Sequence, residues 1–241
     1  MKKIILFLFI LSKFTLNSQN LSFEVIYNQG IKNPKITKSK EVKFFKGVEY
    51  RLLGNYKEAE FKLINKIRDE TYIRNRRYIA KVGGEGIYYS NIKNKEKVHN
   101  FYVSSLNEKI NLKEPFIKNW KLFKEERKIA NYNCKKAVYF KKVKFKGIEE
   151  TISIKYTVWY TLELPFSFGP FNLNGLPGLI LAVEFENNYF IATNIKVNNS
   201  KKFTLTKPIG KELTFEEFYD YLGKKTGLNF TEKLKKSKKI N

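Results

Sequence analysis

The chain has 241 residues, enough for one domain or two small ones, and its 42% hydrophobic content excludes a disordered chain. A single Cys and a single His argue against a metal or redox centre, so we expect no metal and no organic cofactor. The formal net charge is +24, but only six basic residues are Arg, the side chain that phosphate and base recognition favour. We therefore expect a solvated basic surface, weakly attracted to anionic surfaces, and no specific binding of nucleic acid.

The start of the chain has the pattern of an export signal. A basic start, Met1 to Lys3, precedes an apolar run from Ile4 to Leu11 and a more polar stretch over 13–19. The run is shorter than the roughly 20 residues of a permanent transmembrane helix. We expect a signal helix over residues 1–18 that is cleaved. The protein is then periplasmic or secreted, outer-membrane association stays open, and the lone Cys closes no internal disulfide.

Six segments in the first half show the two-residue alternation of strands. They are residues 21–27, 50–53, 59–63, 78–82, 87–90 and 98–104. The turn residues Gly54-Asn55 predict one hairpin, and the Gly-rich stretch 83–86 predicts a second one, joining 78–82 to 87–90. Residues 59–63 also fit a helix, because Ala59, Leu63 and Ile67 recur every four residues.

The clearest strand runs from Thr151 to Leu164. Its even-numbered residues, including Leu162, are apolar. Its odd-numbered residues are polar, with Trp159 as the exception. This alternation is typical of an antiparallel strand with one face on the core. A further hairpin is predicted for residues 179–185 and 189–197.

Only the end of the chain looks helical. Thr214 and Glu217 fit a capping box, apolar residues follow at helical spacing, and Gly223 is the predicted stop. Residues 231–241 form a Lys-rich tail that we expect to fray. The sequence thus predicts a mainly β protein, with a single antiparallel, curved β-sheet domain of hairpins over 20–230 and a short C-terminal helix.

A set of motifs lies between residues 120 and 186. It consists of Trp120, Tyr132, Cys134, Ala137, Trp159, Tyr160, Thr161, Pro165, Gly169, Pro170, and the hexapeptide Gly175, Leu176, Pro177, Gly178, Leu179 and Ile180. This order of motifs, with the hexapeptide complete, resembles the GLPGLI family of exported proteins from Bacteroidetes-type bacteria. Weaker similarity reaches the hairpin at 50–61. Leu164 replaces the more usual Ile, and Ala130 replaces the usual Gly. The resemblance implies export and a β fold, and brings no activity with it.

The segment around the hexapeptide is an apolar loop with five turn-forming residues, Gly or Pro, between 169 and 178. Apolar residues between them must be buried. We expect either a packed corner that covers the end of the core or the rim or floor of an apolar pocket. A phosphate-binding loop is not indicated, because a strand rather than a helix follows.

Trp159 points to the polar side of its strand, so either a second layer covers it or it meets a ligand. Together with Phe171 and Leu176 it forms the candidate binding face. No catalytic residues are assigned. Cys134 reads as a small core residue and His99 as a surface or strand-edge histidine.

The acidic pairs give no firmer sign of catalysis. Glu125-Glu126 and Glu149-Glu150 lie in apparent turns, Glu216-Glu217 lies at a helix start, and no Gly-x-Ser-x-Gly motif is present. Whether the chain is an enzyme stays open, with the balance against it.

Two function classes follow, and neither identifies a partner. One is a non-catalytic envelope protein that binds a partner, such as an outer-membrane transport component, or assists transport. The other is a carrier of an apolar ligand or lipid in a half-barrel-like cavity; a hydrolase is the weakest alternative. An apolar cavity of several hundred Å³, on the order of known ligand pockets, would favour the carrier.

Overall fold

The computed structural model describes residues 21–33, 45, 48–64, 79–80, 82–144, 151–198 and 205–227. The expectations for the signal helix and the Lys-rich tail lie outside these residues. Within them, no helix is long and apolar enough to cross a membrane.

The described residues form strands along most of their length. In chain order the elements are β1 (Ser22–Ile31), β2 (Glu49–Asn55), β3 (Glu58–Leu63), β4 (Ile87–Asn91), β5 (Glu96–Val103), β6 (Glu108–Lys113), β7 (Lys121–Ile129), β8 (Tyr132–Val143), β9 (Ile152–Thr161), a 3-10 turn (Pro170–Asn172), β10 (Leu179–Phe185), β11 (Asn188–Asn198), β12 (Lys211–Leu213) and α1 (Phe215–Thr226).

These strands make one 12-stranded sheet in the order β12-β6-β5-β4-β3-β2-β1-β11-β10-β9-β8-β7. All neighbouring pairs are antiparallel except β12 and β6, which run parallel. The mainly β prediction is confirmed. So is the C-terminal helix.

The sheet curves until its two ends meet. Lys141 lies in β8 and Glu114 directly follows β6, at opposite ends of the strand order, yet Lys141 Nζ lies 2.6 Å from a Glu114 carboxylate oxygen. An ion pair between such distant strands requires the sheet to curl until its end regions approach each other. Its concave side therefore faces an interior space.

Aromatic side chains fill much of this interior. Alternate residues of β1, Phe23, Val25 and Tyr27, are fully buried, while their neighbours Glu24 and Ile26 are only partly buried. The Tyr27 hydroxyl donates a 2.6 Å hydrogen bond to the Ile180 carbonyl. The two-residue period that predicted the strands thus also sorts side chains between the interior and the outside.

Two of the predicted hairpins are confirmed, but the Gly-rich one is not. β2 and β3 pair across the Asn55 turn, and β10 pairs with β11. Residues 59–63 therefore lie in a strand rather than a helix. In the other predicted hairpin, residues 79–80 are helical, and β4 pairs with β3 and β5 instead.

Two predicted element ends are wrong. β9 stops at Thr161, and Leu162 lies in a turn with half of its surface exposed, because residues 164–178 leave the sheet there. The helix α1 has the predicted capping box between Thr214 and Glu217 but runs past Gly223. It ends at Gly227, whose φ of 68° is the left-handed conformation that Gly adopts readily.

Candidate functional site

Two adjoining cavities lie inside the curved sheet, where its ends approach each other. Their volumes are about 600 and 590 Å³. Both are bordered by strands near the two ends of the sheet, by the 3-10 turn and by the start of α1. The side chains common to both walls are Leu112, Glu114, Lys141, Val143, Tyr156, Phe171 and Phe215.

The loop over residues 164–178 enters the interior and forms the floor of the cavities. Phe171 lies at its tip, with its ring centroid 4.7 Å from that of Phe190 and 5.0 Å from that of Phe61. Nearer the base of the loop, Phe166 packs 4.5 Å from Phe23. The predicted alternatives for this loop, a packed corner and a pocket floor, thus occur together in different parts of it.

Asparagine side chains tie the loop to the walls. The Asn172 amide donates to the Val98 carbonyl at 2.9 Å. Asn174 Oδ1 accepts from the Ile117 N–H at 3.1 Å, and the Trp120 indole N–H donates to the Asn174 carbonyl at 2.8 Å. Trp120, a motif residue, therefore holds the loop from outside it.

Backbone conformation in the loop depends on its glycines. A Cβ added to Gly178 would lie 1.9 Å from the Thr161 carbonyl oxygen, far inside contact distance. Gly175 has a φ of 86°, and a Cβ there would lie 2.4 Å from the Ile117 carbonyl oxygen. These close approaches explain why Gly stands at both positions of the hexapeptide.

A charged cluster lies on the cavity wall. Lys141 pairs with Glu114, and Glu114 also accepts a 3.3 Å hydrogen bond from the Asn172 amide. Burial alone raises the pKa of Glu114, but the ammonium groups of Lys141 and Lys97 outweigh it and lower that pKa to about 2. Glu114 is therefore a carboxylate at neutral pH.

Lys97 is the most buried cation of this cluster. Its residue surface is 6% exposed, and its ammonium group donates a 2.9 Å hydrogen bond to the Pro115 carbonyl. Burial lowers the pKa of Lys97 to about 8, although Glu114 acts in the opposite direction. Its charged form thus lacks part of the solvation that it has in water.

His99 and Tyr88 lie side by side on the wall of the second cavity. The His99 ring stacks on Tyr88 with centroids 3.8 Å apart, and His99 Nε2 lies 2.7 Å from the Glu85 carbonyl. The prediction of a surface or strand-edge histidine is wrong, because β5 is paired on both sides, with β4 and β6, and His99 faces the cavity. Burial lowers the pKa of His99, so the ring is neutral at pH 7.

The structure does not bring the three residues of the candidate binding face together. Phe171 borders both cavities, Leu176 is buried in the core, and Trp159 lines neither cavity. Trp159 is half-buried on the other face of the sheet, with the Arg127 guanidinium 4.5 Å from its ring centroid. The Arg127 guanidinium thus covers the Trp159 ring.

Two other sequence features, the lone Cys and an acidic pair, lie in strands β7 and β8. Cys134 is buried, and burial raises its pKa to about 11, so its thiol stays protonated at neutral pH. Glu125 and Glu126 lie in strand β7 and not in a turn, facing Lys136 and Lys135. Within the part of the chain that the structure describes, no three His, Cys, Asp or Glu residues are placed to hold a metal ion.

Lys97, Glu114 and Lys141 were not predicted from the sequence. A signal was present in β8, since Ala137, Tyr139 and Val143 share one face and Lys141 lies among them. A Lys on the core-facing side of a strand is a sign of a buried polar site. In a chain with 47 basic residues this sign is easily overlooked.

Comparison with known proteins gives a short match to one family. Residues 144–182 match the model of a family described as "Protein of unknown function (Porph_ging)". The matched segment contains β9, the loop and the whole hexapeptide. This agrees with the expectation of an uncharacterised family and brings no activity. No curated protein matches the chain significantly.

Solved structures show the same fold in part of a larger protein. A structure of PNGF-II in space group P21 has a TM-score of 0.51 and 20% identity, over 83% of this chain and 32% of that one. A second structure of PNGF-II, in space group C2, gives 0.53 and 20%, over 85% and 33%. The chain thus spans about a third of PNGF-II, and at this identity the likeness concerns the fold alone.

Proposed function

We propose that the protein binds a largely apolar molecule inside its curved sheet and carries it without transforming it. The observation that supports this function best is the pair of adjoining cavities of about 600 and 590 Å³. Volumes of several hundred Å³ are on the order of those that hold small-molecule ligands. An interior filled by side chains would have favoured the other predicted class.

The walls suit an apolar ligand. Leu112, Val143, Phe171 and Phe215 face both cavities, and Leu173 faces the first. Covering these side chains with a hydrocarbon group removes apolar surface from water, which stabilises the complex by about 25 cal/mol per Å². The sheet supplies a rigid frame for this surface.

Binding is better supported than catalysis. A general acid needs a pKa near the working pH. Glu114, the carboxylate common to both cavities, has a pKa of about 2 and is already bound to Lys141 and Asn172. Its arrangement stabilises the wall and leaves it unsuited to proton transfer at neutral pH.

Family and location are part of the proposal. The order of motifs, with the complete hexapeptide at 175–180, supports membership of the GLPGLI family. The basic start and the apolar run over 4–11 support export to the periplasm or the exterior. A carrier of apolar molecules has a clear use between two membranes, because such molecules do not cross water unaided.

Binding of a partner at the outer membrane is the second candidate. Among the described strands, β7 ends the sheet order and pairs with β8 alone, and it exposes 61% of Leu122 and 40% of Phe123. An unpaired strand edge with two exposed apolar side chains can serve as a template for an added strand of a partner. Replacing both residues by Lys removes this surface and leaves the cavities intact, so complementation of a deletion strain separates the two candidates.

Filling the cavities tests the carrier function. Val143→Trp places an indole in both of them, whereas Val197→Trp adds the same group to an exposed position of β11. Native mass spectrometry with methyl dodecanoate as a neutral probe should show a complex with wild type and with Val197→Trp. Val143→Trp should lose it while keeping a cooperative thermal melt. Equal binding by both variants, or none by wild type, would reject the proposal.

A further inference from the structure

We propose that the molecule bound in the cavity is an amphiphile whose anionic head group lies beside Lys97 and Lys141. This inference rests on the proposed carrier function and adds the chemical class of the ligand. The head group accepts hydrogen bonds and carries negative charge, as a carboxylate or a phosphate monoester does. Its hydrocarbon tail lies along the apolar walls.

The first cavity has an excess of positive charge beside Glu114. Lys97 and Lys141 both line it, and Glu114 contacts Lys141 but not the ammonium group of Lys97. Glu114 is already within 2.6 Å of Lys141, whereas Lys97 donates to a neutral backbone carbonyl. Within the described part of the chain, no carboxylate lies within ion-pair distance of Lys97. A buried ammonium group without a contacting acid favours an anionic ligand.

The first cavity also has an excess of hydrogen-bond donors. The hydroxyl groups of Tyr139 and Tyr156 border the same cavity, and neither forms a hydrogen bond with any described residue. A phenol and an ammonium group both donate. Glu114 already accepts from Lys141 and Asn172, so a ligand that displaces water from this wall should bring an acceptor of its own for these donors.

The first cavity has a polar wall and an apolar wall, and the two are separate. Lys97, Glu114 and Lys141 cluster where the ends of the sheet meet, whereas Ile117, Leu173 and the Phe171 ring supply apolar surface in the same cavity. A molecule that satisfies both parts has a charged end and a hydrocarbon end. A wholly apolar ligand would cover the Lys97 ammonium group without giving it an anionic partner, which costs free energy.

A proton-linked signature follows from the same geometry. The other titratable groups that border the same cavity as Lys97 are Lys113, Glu114, Tyr139, Lys141, Lys142, Lys144, Tyr156 and Glu216, and His99 borders the adjoining cavity. Of these groups, Glu114 and Lys141 act on the charge of Lys97. His99 is neutral at pH 7 and Glu114 is ionised, so Lys97 is the group whose charge changes near pH 8. A bound anion favours the charged ammonium, so binding at pH 8 should take up protons.

The experiment compares two ligands of equal chain length on the full mature chain. Isothermal titration calorimetry at pH 7 uses dodecanoate and its neutral methyl ester. We expect dodecanoate to bind at least about tenfold more tightly, the ratio that one retained ionic hydrogen bond provides. Lys97→Met should abolish this preference and keep the affinity for the ester, and Lys97→Arg should restore it. Lys128→Met removes an equal charge from an exposed strand position and should change neither affinity.

The outcomes separate this inference from the function on which it rests. Binding of neither ligand rejects the carrier function itself. Equal affinity for both ligands, or a preference that survives Lys97→Met, overturns the inference and keeps the carrier function. Dodecyl phosphate as a third ligand shows which head group binds more tightly.

Proton uptake gives a test that does not depend on a variant. Titrations of wild type at pH 8 in two buffers of different ionisation heat should show proton uptake with dodecanoate and none with the ester. Absence of uptake contradicts the placement of the head group beside Lys97.

Discussion

The interior of the sheet has a packed half and a cavity half, built from different strands of one sheet and joined by one loop. The packed half contains Phe23, Phe61, Phe166, Phe168 and Phe190. The cavity half contains Lys97, Leu112, Glu114, Lys141, Val143 and Phe215. In the first, aromatic rings meet at contact distance; in the second, charged groups border open space.

This difference shows how a curved sheet keeps a cavity without losing its fold. A void lined only by apolar side chains forfeits packing energy at every surface. Here the loop over 164–178 packs one half, and its tip residue Phe171 separates the two. The Lys141 and Glu114 ion pair joins the ends of the sheet across the other half, so the walls hold their positions.

The largest effect is expected where the loop returns to the sheet. Gly178→Val places a side chain where even a Cβ would be 1.9 Å from the Thr161 carbonyl. We expect a loss of more than about 4 kcal/mol in the free energy of unfolding, because neither backbone can move without breaking the β9–β10 pairing. Chemical denaturation measures it. A variant that unfolds like wild type but no longer binds ligand would assign the loop to binding alone.

Removing one aromatic ring from each half should have very different costs in stability. Phe166→Ala removes a fully buried ring from the packed half and should cost about 3–5 kcal/mol. Phe215→Ala removes a half-buried ring that borders open space and should cost about 1 kcal/mol. Both values come from urea unfolding curves. Equal costs would mean that the cavity half is packed as tightly as the other half.

The ion pair should make the cavity half sensitive to acid. The pKa of Glu114 is lowered from 4.5 to about 2, so the folded state binds this proton less readily than the unfolded state. Its stabilisation is complete above about pH 4.5 and is lost as the pH falls towards 2, a difference of about 3 kcal/mol. Glu114→Gln should lower stability at pH 7 and flatten this part of the profile. A profile that keeps the wild-type slope would contradict the pairing.

Trp159 lies outside both halves, so its removal should leave ligand binding unchanged. Trp159→Ala removes a half-buried indole and its contact with Arg127. We expect a loss of about 2 kcal/mol, less than for a fully buried ring. A thermal melt and a binding titration on one sample check both points. Lost binding with unchanged stability would restore Trp159 to the binding site.

The smallest effect is expected at the edge hairpin. Ala130 and Asn131 join β7 to β8 with φ values of 46° and 71°, both in the left-handed region. Gly adopts this conformation more easily than Ala, so Ala130→Gly should stabilise the protein by about 1 kcal/mol. The control is Ala130→Val, which should lower the free energy of unfolding because a β-branched residue adopts this conformation less easily. A stability gain from Ala130→Val would show that the turn adopts another conformation.

The fold was largely predictable because alternation reports which face of a strand is buried. Strands β1, β2 and β9 were found in this way, since their buried residues fall largely at every second position. Strand β10 is an apolar run that was predicted together with the turn residues after it. The method failed at residues 79–80, where an apolar run has the same appearance in a helix and in a strand. It also missed β7, whose exposed edge carries charge on both faces.

The candidate site was much less predictable. Phe171 was assigned to the binding face from its loop, and it does border the cavities. Lys97 and Glu114 come together with Lys141 only because the sheet curves until strands far apart in the chain meet. Strand periodicity carries no information about that closure. Trp159 was assigned to the binding face because it breaks the alternation of its strand. The structure explains this break by its contact with the Arg127 guanidinium.

The most direct test of the account is a crystal structure of the protein with a terminally brominated dodecanoate, measured at the bromine absorption edge. We expect an anomalous peak inside the sheet, among Leu112, Val143 and Phe171, with the carboxylate within hydrogen-bond distance of Lys97 Nζ. An interior closed by side chains, with bromine found only on the outer surface, would contradict it.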